Sequence, residues 1–97
     1  MIKFQPGRVV GTPAAIELMA QHYALPEDLL DRHVRGDWGD LSDDDRARNE
    51  EAVESGERLL SSYLLAEGSD AKVWIVTEAT GEEGEREYTT VMLPGEY

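Results

Sequence analysis

The stretch that decides the fold is RLLSSYLLAEGSDAKVWIVTEATGEEGEREYTTVML, residues 58–93. It holds three runs rich in aliphatic, aromatic and β-branched residues, at 58–65, 72–78 and 87–93. Two turn-forming segments, EGSD and GEEGE, separate these runs. Because short turns join strands that are antiparallel neighbours, we predict a three-stranded antiparallel meander.

The preceding residues, 12–56, have sequence features typical of helices. Each of three predicted helices begins with a recognised start signal: Thr12-Pro13, Pro26, and Ser42 followed by three aspartates. In the first helix we expect an apolar face of Ile16, Met19, Ala20 and Tyr23, and in the second one of Leu29, Leu30, His33 and Val34. Gly36 and Gly56 are the expected ends of the second and third helices.

These elements predict one α+β domain over residues 1–97. About three N-terminal helices, within 12–56, pack on the C-terminal strands within 58–93. A short strand in the segment 2–10, broken at Pro6-Gly7, is a possible addition.

Composition limits the classes of function. The chain has 97 residues, 21 of them acidic and 9 basic, and a net charge of -12. Such a charge disfavours direct binding to nucleic acid or to an anionic membrane and favours a basic protein partner. There is no cysteine, so disulfides and thiolate zinc sites are excluded. No secretory signal or apolar span is apparent, and we expect a cytoplasmic protein.

The third predicted helix carries the most informative charge pattern. On a helical wheel, five carboxylates share an arc of about 120°. They belong to Asp43, Asp44, Glu50, Glu51 and Glu54. The aspartates of the first turn stabilise the helix dipole, but the glutamates lie beyond that turn and repel one another. We therefore predict a partner-binding surface of these five residues together with Asp37 and Asp40, unless the face serves only solvation.

A second acidic run lies between the last two predicted strands. Residues 78–87 contain five glutamates and one arginine. This run could extend the acidic surface, but we expect it to be a mobile and well-hydrated hairpin tip.

Residue types suited to catalysis are few. His33, Asp37 and Asp40 could together bind a metal, although His33 also lies on an apolar helix face and Asp37 can form an Asx-turn. No activated nucleophile, phosphate loop or dinucleotide motif is present, so we expect neither an enzyme nor a cofactor. Trp38 and Trp74 could each be an exposed recognition residue, but we interpret both as plugs that fix a loop onto the core.

Three segments resemble a family of short bacterial proteins found on plasmids, phages and other mobile elements. They are HVRGDWGDLSDDDRARNEEAVESGERLLSSYLL (33–65), VWIVTEA (73–79) and TTVMLPGEY (89–97). The resemblance covers about two thirds of the chain, and the acidic insertion TGEEGERE (80–87) departs from it. It implies no established active site. It implies a mobile-element setting, in which acidic inhibitors of host defence nucleases are common.

Charge pattern and resemblance together predict a non-enzymatic inhibitor of a defence nuclease complex, of the anti-CRISPR or anti-restriction type. Its carboxylate helix face would occupy a basic nucleic-acid-binding site. One alternative is an accessory module that binds a protein through the sheet face. The other is a small metal-dependent enzyme built on His33, Asp37 and Asp40.

Overall fold

The chain folds into three helices and four strands, in a computed structural model that describes residues 1–97. In chain order the elements are β1 (Arg8–Gly11), α1 (Pro13–Gln21), α2 (Pro26–Val34), α3 (Asp43–Ser55), β2 (Leu59–Leu64), β3 (Lys72–Thr77) and β4 (Tyr88–Met92). The α+β class and the helical first half are as predicted. None of the helices combines the length and the apolar composition needed to cross a membrane.

The sheet is larger than the predicted meander. Strands β2, β3 and β4 are consecutive antiparallel neighbours, but β1 joins them as a fourth strand parallel to β4. The Arg8 N–H donates to the Glu87 carbonyl at 3.0 Å, and the Thr12 N–H donates to the Val91 carbonyl at 2.9 Å. The sheet is therefore mixed, in the order β1-β4-β3-β2. The parallel pairing of β1 with β4 could not be predicted, because no short turn connects two strands that lie so far apart in the sequence.

The helix start signals act as predicted. The Thr12 hydroxyl accepts the Ala15 N–H at 3.2 Å, and the Ser42 hydroxyl accepts the Asp45 N–H at 3.1 Å. Each hydroxyl thereby satisfies a backbone donor that the first helical turn leaves free. At the other end of α3, Gly56 has a φ of 85°, a left-handed conformation that suits glycine.

The main core lies between the helices and one face of the sheet. It contains seven buried residues: Ala15, Met19, Leu29, Tyr63, Val73, Ile75 and Val91. A second cluster, formed by Trp38, Ala52 and Leu59, lies under α3. Since β2 and β3 alternate their side chains, the residues between these core positions face the other side of the sheet.

The predicted apolar face of α1 is wrong in part. Met19 is buried, but its partner on the core side is Ala15, while Ile16 is 40% and Tyr23 is 95% exposed. Tyr23 lies beyond the end of the helix and has a φ of 55°, so helical spacing does not apply to it. A helix of nine residues offers too few turns for periodicity to define one face.

Candidate functional site

Helix α3 presents its charged face to solvent because its other face is tied to the edge of the sheet. Asn49 and Ala52 are buried, and Val53 is half-buried. The Asn49 side chain donates to the Leu60 carbonyl at 2.8 Å and accepts the Leu60 N–H at 3.2 Å. The amide thus pairs with strand β2 as a neighbouring strand would, and this contact sets the rotation of α3.

Removing the Asn49 amide tests whether this side chain anchors α3 to β2. We expect Asn49→Ala to lower the free energy of unfolding by about 1–2 kcal/mol, because two partly buried hydrogen bonds are lost. Asn49→Asp should be no better, since its carboxylate would face the Leu60 carbonyl. Urea denaturation measures both variants against Glu51→Gln, an exposed change expected to stay within about 0.5 kcal/mol of the parent. Equal stability of Asn49→Ala and the parent would contradict the assignment.

Three of the seven predicted partner-binding carboxylates are already engaged within the chain. Asp37 accepts from Arg32 Nε at 2.7 Å, and Asp40 lies 3.0 Å from Lys72 Nζ. Asp37 also accepts the Gly39 N–H, which closes the predicted Asx-turn. The hydrogen bond from Arg32 holds the pKa of Asp37 below its usual value. Asp37 and Asp40 therefore organise the loop before α3 rather than extend its free charge.

Glu50 is the third engaged carboxylate. It accepts the indole N–H of Trp38 at 2.8 Å and pairs with Lys3 Nζ at 2.9 Å. The hydrogen bonds from Lys3 and then Trp38 lower the pKa of Glu50. Because Trp38 is only 4% exposed, Glu50 satisfies a largely buried donor and belongs to the framework of the fold.

The other four predicted carboxylates are exposed and make no ion pair within the chain. They are Asp43, Asp44, Glu51 and Glu54. At the C-terminal end of α3, Glu51 and Glu54 line a shallow depression with Glu50, Ser55 and Glu57, and no apolar side chain takes part. Glu57 was not among the predicted residues, because it follows the helix and falls outside the helical wheel.

The position of this depression matters energetically. Carboxylates near a helix C-terminus oppose the helix dipole, and the last turn of α3 has no basic residue to offset them. Helix stability therefore does not account for Glu51 and Glu54. A basic partner would relieve the repulsion between these carboxylates.

The second acidic run adjoins the same end of α3. The Thr80 N–H donates to the Gly56 carbonyl at 2.8 Å, and Glu54 and Glu85 line one open cleft. Residues 81–85 are exposed, as expected for a hydrated tip. The base of the hairpin, however, is fixed by Arg86, a residue that charge counting did not single out.

Arg86 is 7% exposed and binds only backbone carbonyls. Its Nη1 donates to Glu57 and Glu78 at 2.7 and 2.9 Å, and its Nη2 donates to Ala52 at 2.9 Å. Ala52 and Glu57 mark the C-terminal end of α3, where the helix dipole is negative and favours a cation. Burial lowers the pKa of Arg86, and the Phe4 ring lies 5.7 Å from its guanidinium carbon.

The proposed metal site at His33, Asp37 and Asp40 does not assemble. His33 is fully buried, with Nδ1 at 2.6 Å from the Ser61 hydroxyl and Nε2 at 2.8 Å from the Thr77 hydroxyl. The two aspartates pair with cations on the surface. No group of three potential metal-binding side chains converges anywhere in the structure.

The hydrogen-bond chain around His33 fixes its tautomer. Thr89 donates to the Pro6 carbonyl at 2.7 Å, so the contact of 2.7 Å between Thr89 and Thr77 requires Thr77 to be the donor. Thr77 must then accept from His33 Nε2–H, which leaves Nδ1 to accept from Ser61. Burial, helped by the Arg86 charge, lowers the pKa of His33 to about 3. The imidazole is a neutral connector of α2 to three strands, and neither it nor Ser61 is accessible to a substrate.

The two tryptophans have different environments. Trp38 is buried and stacks on Phe4 with ring centroids 6.2 Å apart, which agrees with the predicted plug. Trp74 is only half-buried and lines an open cavity on the face of the sheet opposite the main core. The prediction of a plug is wrong for Trp74, because alternation along β3 turns it away from Val73 and Ile75.

No family model, curated protein or solved structure matches the chain significantly.

Proposed function

We propose that the protein is a non-enzymatic inhibitor that uses the outer face of α3 to occupy a basic nucleic-acid-binding site on a host defence nuclease complex. The single observation that carries the proposal is a set of four unpaired carboxylates on one anchored helix. These are Asp43, Asp44, Glu51 and Glu54.

The spacing of these carboxylates supports a comparison with a nucleic-acid strand. From Asp43 to Glu54 the helix axis rises by about 16 Å. A DNA strand presents one phosphate per about 3.4 Å over such a length, and the helix places two carboxylates, Asp43 and Asp44, at one end of it and two, Glu51 and Glu54, toward the other. Asn49 holds α3 against the sheet, which reduces the entropy lost on binding a rigid channel.

The charge around α3 supports the same proposal. Nine acidic and two basic residues lie between Asp37 and Glu57, a net charge of -7. Four of those acids have internal cationic partners, and the remaining excess is available for lysine and arginine side chains of a partner. The mobile-element setting implied by the sequence resemblance agrees with a defence nuclease as the target.

The experiment is displacement of labelled DNA from a panel of CRISPR effector complexes and restriction enzymes, followed by fluorescence anisotropy. We expect the parent protein to displace DNA from at least one member of the panel. Displacement should weaken steeply as the salt concentration rises from about 50 to about 200 mM, because salt screens the contacts between carboxylates and basic side chains. The fourfold variant Asp43→Asn, Asp44→Asn, Glu51→Gln, Glu54→Gln should lose at least about a hundredfold in potency.

The matched control removes the same charge elsewhere. Glu17, Glu27, Glu67 and Asp70 are exposed and make no ion pair, so their amide variants change the net charge equally. We expect this control to retain potency within about threefold. Equal loss in both variants, or no displacement from any member of the panel, would refute the proposal.

A further inference from the structure

The open cavity beside Trp74 lies apart from the carboxylate face. It has a volume of about 480 Å³, within the usual range of small-molecule sites of about 300–1,000 Å³. Leu60, Ser62 and Trp74 form its floor on the sheet. The start of α3, the loop before it, and Pro94 form its walls.

The cavity concentrates positive charge in a strongly acidic chain. Arg48, Arg58 and Lys72 line it, three of the 9 basic residues of the protein. Two acids, Asp40 and Asp45, also line it. The cavity is therefore net positive in a molecule whose net charge is -12.

Two donor groups in the cavity, those of Arg58 and Trp74, have no acceptor within the chain. Arg58 forms no ion pair, and its guanidinium carbon lies 4.5 Å from the centre of the Tyr97 ring, which orients it. The Trp74 indole N–H makes no internal hydrogen bond, whereas the Trp38 indole N–H is satisfied by Glu50. Arg48 comes no nearer than 3.8 Å to Asp45.

We infer that this cavity binds a small aromatic anion of the nucleoside monophosphate class. The half-buried indole of Trp74 supplies an aromatic surface on which a base can stack, as aromatic side chains do in single-stranded nucleic-acid sites. The Arg58 guanidinium, which lines the cavity together with Arg48, supplies the paired N–H donors that suit a phosphate. A lone nucleotide carries little charge, so the acidic surface that repels a nucleic-acid chain opposes it far less.

The test is a titration followed by NMR at 150 mM salt, a concentration chosen to screen distant charges, with AMP, adenosine, inorganic phosphate and benzoate as separate probes. We expect AMP to shift the Trp74 indole N–H and the Arg58 side-chain signals. Adenosine and inorganic phosphate should each bind at least about tenfold more weakly, because each supplies half of the recognised chemistry.

Variants locate the binding. Arg58→Gln and Trp74→Leu should each weaken AMP binding at least about tenfold, while Arg8→Gln, an exposed cation on β1, should leave it unchanged. Thermal melts confirm that the variants are folded.

Three results would overturn the inference. The first is an AMP titration that leaves the Trp74 signal in place. The second is equal loss of affinity in Arg58→Gln and Arg8→Gln, which would show general charge attraction. The third is benzoate binding as tightly as AMP, which would reject the phosphate.

Discussion

Replacing Arg86 by methionine is expected to lower the free energy of unfolding by about 3 kcal/mol. The change removes three charge-assisted hydrogen bonds to the carbonyls of Ala52, Glu57 and Glu78, each worth about 1.5–3 kcal/mol and not additive. Domains of this size have a total stability of roughly 5–15 kcal/mol, so the loss is a large share of it. Urea denaturation monitored by tryptophan fluorescence measures the change.

Two further variants distinguish the contribution of the guanidinium geometry of Arg86 from that of its charge. Arg86→Lys keeps the charge, but one ammonium cannot reach three carbonyls on separate segments, so we expect it to lose about 1–2 kcal/mol. Arg8→Met removes an exposed arginine and should stay within about 0.5 kcal/mol of the parent. If Arg86→Lys were as stable as the parent, the guanidinium fork would have no special role.

Hydrogen exchange adds a local readout for Arg86. The Thr80 N–H, which donates to the Gly56 carbonyl, should lose protection in Arg86→Met. The guanidinium joins the base of the hairpin to the end of α3, so loss of Arg86 should loosen both together.

Lowering the pH from 7 to 5 is expected to reduce the free energy of unfolding by about 2 kcal/mol through His33. The unfolded chain binds a proton at His33 below its ordinary pKa of 6.5, whereas the folded protein binds one only near pH 3. The unfolded state thus holds more protons in this window, and stability falls by about 1.4 kcal/mol per pH unit. The contribution is fully present above pH 6.5 and is lost progressively toward pH 3.

Urea denaturation at each pH measures this dependence, and NMR of the imidazole measures its cause. The His33 ring should remain neutral down to at least about pH 4. His33→Gln, where it folds, should lose the slope between pH 7 and 5, a range above most of the titration of Asp37 and Glu50. An imidazole of His33 that titrated near pH 6 would contradict the hydrogen-bond assignment.

The predictable parts of the fold are those with local signals. The helix ends at Thr12, Ser42 and Gly56 could be predicted because capping interactions act within a few residues. The three C-terminal strands follow from alternation and turns. The β1–β4 pair could not be predicted, because it links residues about 80 positions apart through backbone contacts that any sequence can make.

The exposure of the carboxylates on α3 was predictable from the sequence, and their contacts within the chain were not. Helical spacing correctly predicted that four carboxylates face solvent, because periodicity along a helix is a local property. They are those of Asp43, Asp44, Glu51 and Glu54. Helical spacing could not show that Glu50 meets Trp38 and Lys3, which come from two other segments. The burial of Arg86 could not be predicted for the same reason. The sequence of a hairpin rich in glutamate does not distinguish a buried arginine from an exposed one.

The two edges of the sheet are unequal, and this limits how copies of the chain can assemble. On β2, Asn49 occupies the outward backbone groups of Leu60, and the groups of Ser62 pair with Trp38 and Asp40. The β1 edge has no such cover, and all four of its residues are exposed. Open-ended fibres need two accepting edges per molecule. Edge-to-edge strand pairing between molecules would therefore favour a closed pair joined through β1 over growth into a filament.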